Sequence, residues 1–141
     1  MTSYIPIDIR RQVRQDAGRR CGYCLSSEAL LGTSLEFDHL IPESAGGLTF
    51  RENLWLACHT CNKQKGSQVD AQDVITQSVA RLFNPREQKW HSHFRWSRDG
   101  TRVEGLTAIG RATIVALKMN NEFIVESRRF WVSVGWHPPQ E

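Results

Sequence analysis

Four cysteines form the clearest chemical pattern in this sequence. They occur as two identical pairs separated by 33 residues, Cys21-x-x-Cys24 and Cys58-x-x-Cys61. Two residues between the cysteines of a pair let both sulfurs reach one ion, and four thiolates close a tetrahedral zinc site. The gap exceeds the roughly 15–20 residues of a simple zinc ribbon, so we expect a folded segment between the pairs. The sequence therefore predicts a structural zinc held by all four cysteines.

Polar side chains in the same part of the chain suit phosphodiester hydrolysis. They are the adjacent Asp38 and His39, then Asn53, and Asn62 directly after Cys61. Hydrolysis requires a base that takes a proton from water and positive charge near the leaving oxygen. A histidine titrates near neutrality and can be that base. A carboxylate and an amide oxygen can share one hard divalent cation, so we expect a hydrolytic site here.

Several features of residues 21–66 follow one another in a fixed order. They are the first cysteine pair, Asp38-His39, Pro42 with Gly46-Gly47, Asn53-Leu54, and the second pair continuing as Cys61-Asn62-x-x-Lys65. In this order they resemble the HNH endonuclease family, which has a ββα-metal fold. The resemblance implies nucleic-acid cleavage at a single catalytic metal, separate from the structural zinc.

The resemblance also implies a role for each site residue. His39 is the general base, and Asn53 orients the base and its loop through hydrogen bonds. Asn62 and Asp38 hold the catalytic cation. Because oxygen ligands favour Mg²⁺ or Mn²⁺ over softer ions, the asparagine at position 62 indicates a hard metal.

The adjacency of Asp38 and His39 raises a geometric difficulty. Neighbouring side chains of a regular strand point to opposite faces, so these two cannot both face one phosphate. We therefore expect the backbone to bend at about residues 38–41, which Pro42 permits. Glu36 shares the face of Asp38 and either tunes the site or is solvated.

Charge is unevenly distributed along the chain. Residues 1–20 carry five basic and two acidic residues, residues 21–66 carry three and five, and residues 67–141 carry ten and eight. An acidic segment between basic ones suits a cation site whose surroundings contact phosphate, although the same charges also suit a solvated surface. Candidate nucleic-acid contacts are Lys63, Lys65, Arg10, Arg11 and Arg14.

The periodicity of the sequence predicts an α+β fold: a ββα-metal HNH core stapled by zinc, with an N-terminal helix and a C-terminal β-hairpin plus helices. For the first half we expect a helix over about 6–17, strands over 35–41 and 53–57, and a short helix over 59–65. For the second half we expect a partial helix near 73–82, a hairpin of 93–97 with 101–106, and helices over 107–119 and about 121–134. We expect Trp90, Trp96, Trp131 and Trp136 to fill a core around this hairpin, the alternative being that they stack on bases.

Length and composition limit the class of protein. The chain has 141 residues, of which 40% are hydrophobic and 23% charged, and its formal net charge is +3. This indicates a single globular domain over 1–141, with the HNH core at about 18–68 and an extension at about 80–141. No apolar run approaches the roughly 18–20 residues of a membrane span, and no signal peptide is evident. We expect a cytoplasmic protein with no membrane partner.

Three functions compete at this point. The first is a metal-dependent HNH endonuclease acting on DNA, with RNA as an open alternative and with structural Zn²⁺ and catalytic Mg²⁺ or Mn²⁺. The second is a zinc-stapled nucleic-acid-binding module that does not cut. The third is a thiol redox protein, against which the two paired cysteine motifs count. The set of Asp38, His39 and Asn62 favours the first, since a pure binder needs no general base. Oligomeric state is not indicated.

Overall fold

The computed structural model of the protein describes residues 4–140, whose contacts divide into two compact units. The knuckle unit comprises residues 4–69 and 84–87, and the hairpin unit comprises residues 70–83 and 88–140. That residues 1–141 behave as a single domain stays a prediction, to be tested by whether the two units unfold together.

The knuckle unit contains three helices and one two-stranded sheet. In chain order these are α1 (Ile7–Asp16), α2 (Glu28–Leu31), β1 (Glu36–His39), β2 (Leu54–Ala57) and α3 (His59–Lys65). β1 and β2 are antiparallel, with Glu36 opposite Ala57 and His39 opposite Leu54. Two strands followed by a helix, with four clustered cysteines, agree with the predicted ββα-metal fold.

Helix α1 packs its apolar stripe onto the sheet. Ile5 and Val13 are buried with Leu35, Leu54 and Leu56, and Ile9 and Ala17 pack against this core. Four-residue spacing of these side chains places them on one face of a helix. The predicted N-terminal helix is therefore confirmed, and it packs against β2.

The loop from β1 to β2 is closely folded. The chain bends at Leu40 and Ile41, inside the expected range of 38–41 but after Asp38 and His39, which both remain in β1. It continues through 3₁₀ turns at Glu43–Ala45 and Arg51–Asn53. A Cβ atom on Gly47 would collide with the carbonyl oxygen of Ile41. Only glycine fits there, so the path of this loop is set by backbone contact.

Residues 84–87 belong to the knuckle unit through Arg86. Its guanidinium donates hydrogen bonds to Asp16 Oδ2 and to the Leu54 carbonyl, both at 3.0 Å, and lies 4.9 Å from the centre of the Trp55 ring. The Trp55 indole also packs on the backbone of Gly22, where a Cβ atom would collide with it. Trp55 is therefore enclosed between Arg86 and the turn of the first cysteine pair, residues 21–25, called the first knuckle below; the second knuckle is the turn of residues 58–61.

The hairpin unit contains two antiparallel hairpins and three helices. In chain order these are β3 (Asp70–Gln72), β4 (Val79–Arg81), α4 (Trp90–His93), β5 (Phe94–Trp96), β6 (Val103–Gly105), α5 (Ala108–Ala116) and α6 (Glu122–Ser133). Thr107 caps α5 by accepting from Gly110 N at 3.1 Å, and Asn121 caps α6 by accepting from Ile124 N at 3.0 Å. The predicted C-terminal hairpin and two final helices are confirmed, although α5 is shorter than expected.

The partial helix predicted near residues 73–82 is wrong, because this segment forms the β3–β4 hairpin. Its turn is built by Asp73, whose carboxylate accepts hydrogen bonds from Ile75 N and Thr76 N. The Arg111 guanidinium pairs with Asp73 at 2.9 Å and lowers the pKa of Asp73 well below its usual value. A local side-chain turn anchored by an ion pair thus overrides a weak helical pattern.

The core of the hairpin unit is largely aromatic. Trp90 is buried, with its ring centre 5.1 Å from that of Phe94 and 5.2 Å from that of Trp96. The expected packing of tryptophans around the hairpin holds for these two, whereas Trp136 is 64% exposed. Among residues 4–140 no helix is both long and apolar enough to cross a membrane.

Candidate active site and metal centre

The four cysteines converge on one point. Their sulfur atoms all lie within 4.8 Å of one another, and Cys24 Sγ is 3.7 Å from Cys58 Sγ. Zinc–sulfur bonds of about 2.3 Å in a tetrahedron separate the sulfurs by about 3.8 Å. The predicted metal-binding cluster of four cysteines is therefore confirmed, and its donor type and size fit zinc. Within residues 4–140 no other group of three or more His, Cys, Asp or Glu side chains converges in this way.

Local backbone structure holds each pair in place. In the first knuckle Leu25 N donates to the Cys21 carbonyl at 3.0 Å, which turns the chain back on itself. In the second, Cys58 caps α3 and places Cys61 in its first turn. Burial raises the pKa of the Cys21 thiol. A dication is needed to stabilise four thiolates in such an interior.

Asp38 lies at the buried end of the interface between β1 and α3. It is 3% exposed, and Tyr23 Oη donates to its Oδ2 at 2.6 Å while Lys65 Nζ donates to its Oδ1 at 3.0 Å. Burial and the Asp38 charge raise the pKa of Tyr23 well above its usual value, so Tyr23 stays a donor. Lys65 Nζ also donates to the His39 carbonyl at 3.2 Å. Lys65 therefore fixes both Asp38 and the backbone of His39.

The structure corrects the expectation that Lys65 contacts phosphate. Lys65 is 2% exposed, because its ammonium forms an ion pair with the buried carboxylate of Asp38 inside the protein. Lys63 on the same helix is exposed. On α1, Arg11 is exposed, whereas Arg14 forms a half-buried ion pair with Glu28 at 3.1 Å and Arg10 donates to the Ile5 carbonyl at 2.8 Å. Of the five candidate nucleic-acid contacts, Lys63 and Arg11 are thus the two whose side chains are exposed.

His39 points away from Asp38, toward the loop that follows β1. Its Nε2 lies 3.0 Å from Thr49 Oγ1 and 3.6 Å from Glu43 Oε1. A carboxylate can only accept a hydrogen bond, so this environment favours the proton on Nε2. The lone pair then lies on Nδ1, which is the form of imidazole that can accept a proton from water.

Asn53 closes the loop around His39. Its Oδ1 accepts from Ile41 N at 2.8 Å, and its Nδ2 donates to the carbonyls of Ile41 at 3.0 Å and Leu48 at 2.8 Å. Two of these bonds go to Ile41, two residues after His39, and the third goes to Leu48, directly before Thr49. Asn53 therefore fixes the backbone at both ends of the loop segment between Ile41 and Leu48.

Asn62 lies at the exposed end of the same interface and contacts Glu36. Its Nδ2 donates to Glu36 Oε1 at 2.9 Å, and the other Glu36 oxygen lies 2.8 Å from His59 Nδ1. These two contacts, that with Asn62 foremost, lower the pKa of Glu36. Among the described residues no hydrogen bond joins Asp38 to Asn62. The two expected cation ligands thus have separate partners, Lys65 and Tyr23 for Asp38 and Glu36 for Asn62.

Several residues of this arrangement were not singled out by the sequence. Tyr23 and Thr49 contact the site residues only in the folded structure, and no sequence motif indicates them. Glu43 follows His39 by four residues in a loop, a spacing that carries no signal outside a helix. Glu36 alone had a signal, since it shares the face of Asp38.

Comparison with known proteins supports the resemblance of this part of the chain to HNH endonucleases. Residues 21–68 match the family model described as HNH endonuclease. Over 59 residues, or 41% of the chain, the protein is 39% identical to a CRISPR-associated endonuclease Cas9 of Corynebacterium diphtheriae, of which it covers 5%. No solved structure matches the chain. The cysteine cluster, the ββα order and the family match coincide, and residues 21–68 therefore carry the HNH endonuclease motif that the sequence indicated.

Proposed function

We propose that this protein is a metal-dependent endonuclease that hydrolyses phosphodiester bonds in DNA. His39 is its general base, Asp38 and Asn62 hold a divalent cation, Mg²⁺ or Mn²⁺, and zinc on the four cysteines is structural. The observation that carries the proposal is the setting of His39 inside the matched segment: Nε2 is engaged by Thr49 and Glu43, which favours a basic Nδ1.

Each residue of the site has a task that follows from its contacts. His39 takes the proton of the attacking water on Nδ1, while Thr49 keeps the ring from turning. Asn53 keeps Thr49 in place by closing the loop backbone. Lys65 holds the His39 carbonyl, so the base is fixed from both the ring and the backbone.

The residues present fit a hard cation. An ionised carboxylate has about four lone-pair sites, so Asp38 retains acceptor capacity beside its bonds to Tyr23 and Lys65, and Asn62 offers an amide oxygen. When bound, a divalent cation supplies positive charge for the phosphate and the leaving oxygen. Lys65 competes for the same carboxylate, so we expect cation binding in the absence of substrate to be weak but measurable.

The test is cleavage of supercoiled plasmid DNA by the zinc-loaded protein, with Mg²⁺ or Mn²⁺ titrated from zero. Loss of a general base costs about 10²–10⁴ in rate, so His39→Ala should bind DNA but cut very slowly. The exposed His91 of the hairpin unit provides the matched control, and His91→Ala should cut like the unmodified protein.

Variants of the cation ligands separate the two roles. Asp38→Asn and Asn62→Ala should require more cation, and added cation should restore part of their activity. Restoration of His39→Ala by added cation would reverse the assignment of base and ligand. DNA binding without cleavage by the unmodified protein under every cation tested would favour the non-catalytic binding module instead.

A further inference from the structure

A chain of three side chains links α3 to β1 at the exposed end of their interface. His59 Nδ1 lies 2.8 Å from Glu36 Oε2, and Glu36 Oε1 accepts from Asn62 Nδ2 at 2.9 Å. The Glu36 side chain is 41% exposed, and that of His59 is 73% exposed. The three therefore form an open network, with Asn62 at its inner end.

The Glu36 carboxylate determines which atom of the Asn62 amide faces it. A carboxylate can only accept hydrogen bonds, so the amide nitrogen must be the atom that faces Glu36. The amide oxygen consequently points away from Glu36, and among residues 4–140 none donates a hydrogen bond to it. A hard cation binds an amide through oxygen, never through its nitrogen. The Asn62 oxygen is thus presented as a ligand.

We propose that Glu36 is a positioning residue, which holds the Asn62 amide so that its oxygen is available to the catalytic cation. The inference rests on the proposed function, because Asn62 is the ligand assigned there. His59 holds the second oxygen of Glu36 and limits its rotation. Both Glu36 oxygens are engaged by protein donors, whereas the amide oxygen of Asn62 is open.

The size of the effect follows from residues that orient metal ligands in other proteins. Loss of such a partner typically costs about 10–100-fold in metal affinity or activity. Glu36→Ala should therefore weaken cation binding by that factor. Glu36→Gln should weaken it only a few-fold, because the side-chain oxygen of glutamine can still accept from Asn62 Nδ2.

The experiment measures Mn²⁺ binding by electron paramagnetic resonance, with the full zinc-loaded chain in the slowly cutting His39→Ala background. Glu36→Ala, Glu36→Gln and Asn62→Ala are compared with Glu52→Ala. Glu52 is an exposed carboxylate of the loop, so its removal controls for the loss of one negative charge. Zinc content and circular dichroism verify that each variant is folded.

The outcomes distinguish this inference from the proposed function. Strong weakening by Glu36→Ala, with Glu36→Gln within a few-fold of the parent and Glu52→Ala equal to the parent, supports positioning by Glu36. Equal weakening by both Glu36 variants would show that the negative charge itself engages the ion, and no weakening would show that Glu36 is not involved; either result overturns the inference. Unchanged binding by Asn62→Ala, or no Mn²⁺ binding by the parent, would remove the proposed cation site itself and the inference with it.

Discussion

Two carboxylates lie two residues apart on one face of β1, and both have partners on α3. Asp38 is 3% exposed and is held by Tyr23 and by the ammonium of Lys65. Glu36 is half exposed and is held by the amide of Asn62 and by His59. The same strand thus has a closed end, where a charge is balanced inside the protein, and an open end, where it faces solvent.

This difference predicts how much each end contributes to stability. A buried carboxylate requires a fixed counter-charge, since an unpaired charge in a low dielectric is costly. An exposed carboxylate contributes little to stability, but it can orient its neighbours and exchange partners at small cost. We therefore expect mutations at the closed end to affect folding as well as cation binding, and mutations at the open end to affect cation binding with little loss of stability.

Removal of the zinc should unfold the closed end and the open end of β1 together. Structural zinc contributes on the order of 10 kcal/mol, comparable to the whole stability of a small domain. Cys58→Ser or prolonged chelation should therefore unfold the knuckle unit, measured by thermal melting with circular dichroism and by zinc analysis. If Cys58→Ser melts like the unmodified protein, or the protein holds no zinc, the four cysteines do not stabilise the fold by binding zinc.

Lys65→Met should give the next largest effect, at the closed end. It leaves Asp38 buried and unpaired, which costs about 3–5 kcal/mol in the free energy of unfolding. The double variant Asp38→Asn with Lys65→Met should recover most of this loss, because no charge remains buried. Glu36→Gln is the control at the open end and should cost less than about 1 kcal/mol. Urea unfolding measures all three, and equal losses from Lys65→Met and Glu36→Gln would contradict the distinction between the ends.

Asp16 provides a third carboxylate of intermediate exposure, which pH can probe. Hydrogen bonds from Arg51 and Arg86, 2.7–3.0 Å long, lower the pKa of Asp16 from 3.8 to about 2. A pKa lowered by folding gives stability that is fully present above pH 3.8 and is lost as the pH falls toward about 2. Because Arg51 is solvent-exposed, we expect a contribution of only about 1 kcal/mol.

The measurement for Asp16 is urea unfolding of the unmodified protein and of Asp16→Asn across this pH range. The difference in stability between them should be largest near neutral pH and should shrink as Asp16 becomes protonated. A difference that stays constant down to about pH 2 would mean that the charge of Asp16 does not act through its arginines.

The smallest expected effect concerns Lys63 of α3. Lys63 is exposed and is a candidate phosphate contact, so Lys63→Ala should weaken DNA binding modestly and reduce the slope of log affinity against log salt by about 1. A matched Arg19→Ala variant, outside the candidate contacts, tests whether any exposed positive charge has the same effect. If both variants change the slope equally, Lys63 is not a specific contact.

The parts of the fold that could be predicted are those fixed by local pattern. The cysteine spacing predicted the metal cluster, and the apolar spacing of Ile5 to Ala17 predicted α1. The β3–β4 hairpin was missed because its turn depends on Asp73 and on Arg111, which lies 38 residues away. Burial of Lys65 was missed for the same reason, since it depends on Tyr23 and Asp38 meeting in three dimensions.

The site divides in the same way. Type and order of residues indicated His39, Asn53 and Asn62, and the setting of each came from distant partners such as Thr49 and Glu36. Which residues ligate the cation, which contact DNA, and whether the protein is cytoplasmic stay predictions. A strand pattern specifies which faces its side chains share, whereas their exposure is set by what packs on those faces.

The packing of Trp55 on Gly22 gives the knuckle unit an optical signal of its own. Of the five tryptophans, Trp55 alone lies in the knuckle unit, and Trp90, Trp96, Trp131 and Trp136 all lie in the hairpin unit. An indole enclosed by the first knuckle and Arg86 should shift its emission to longer wavelength once that knuckle opens to water. A Trp55→Phe variant would report the hairpin unit alone, and the difference spectrum would follow the zinc-bound unit. Intrinsic fluorescence can therefore show, without added label, whether the two units melt as one.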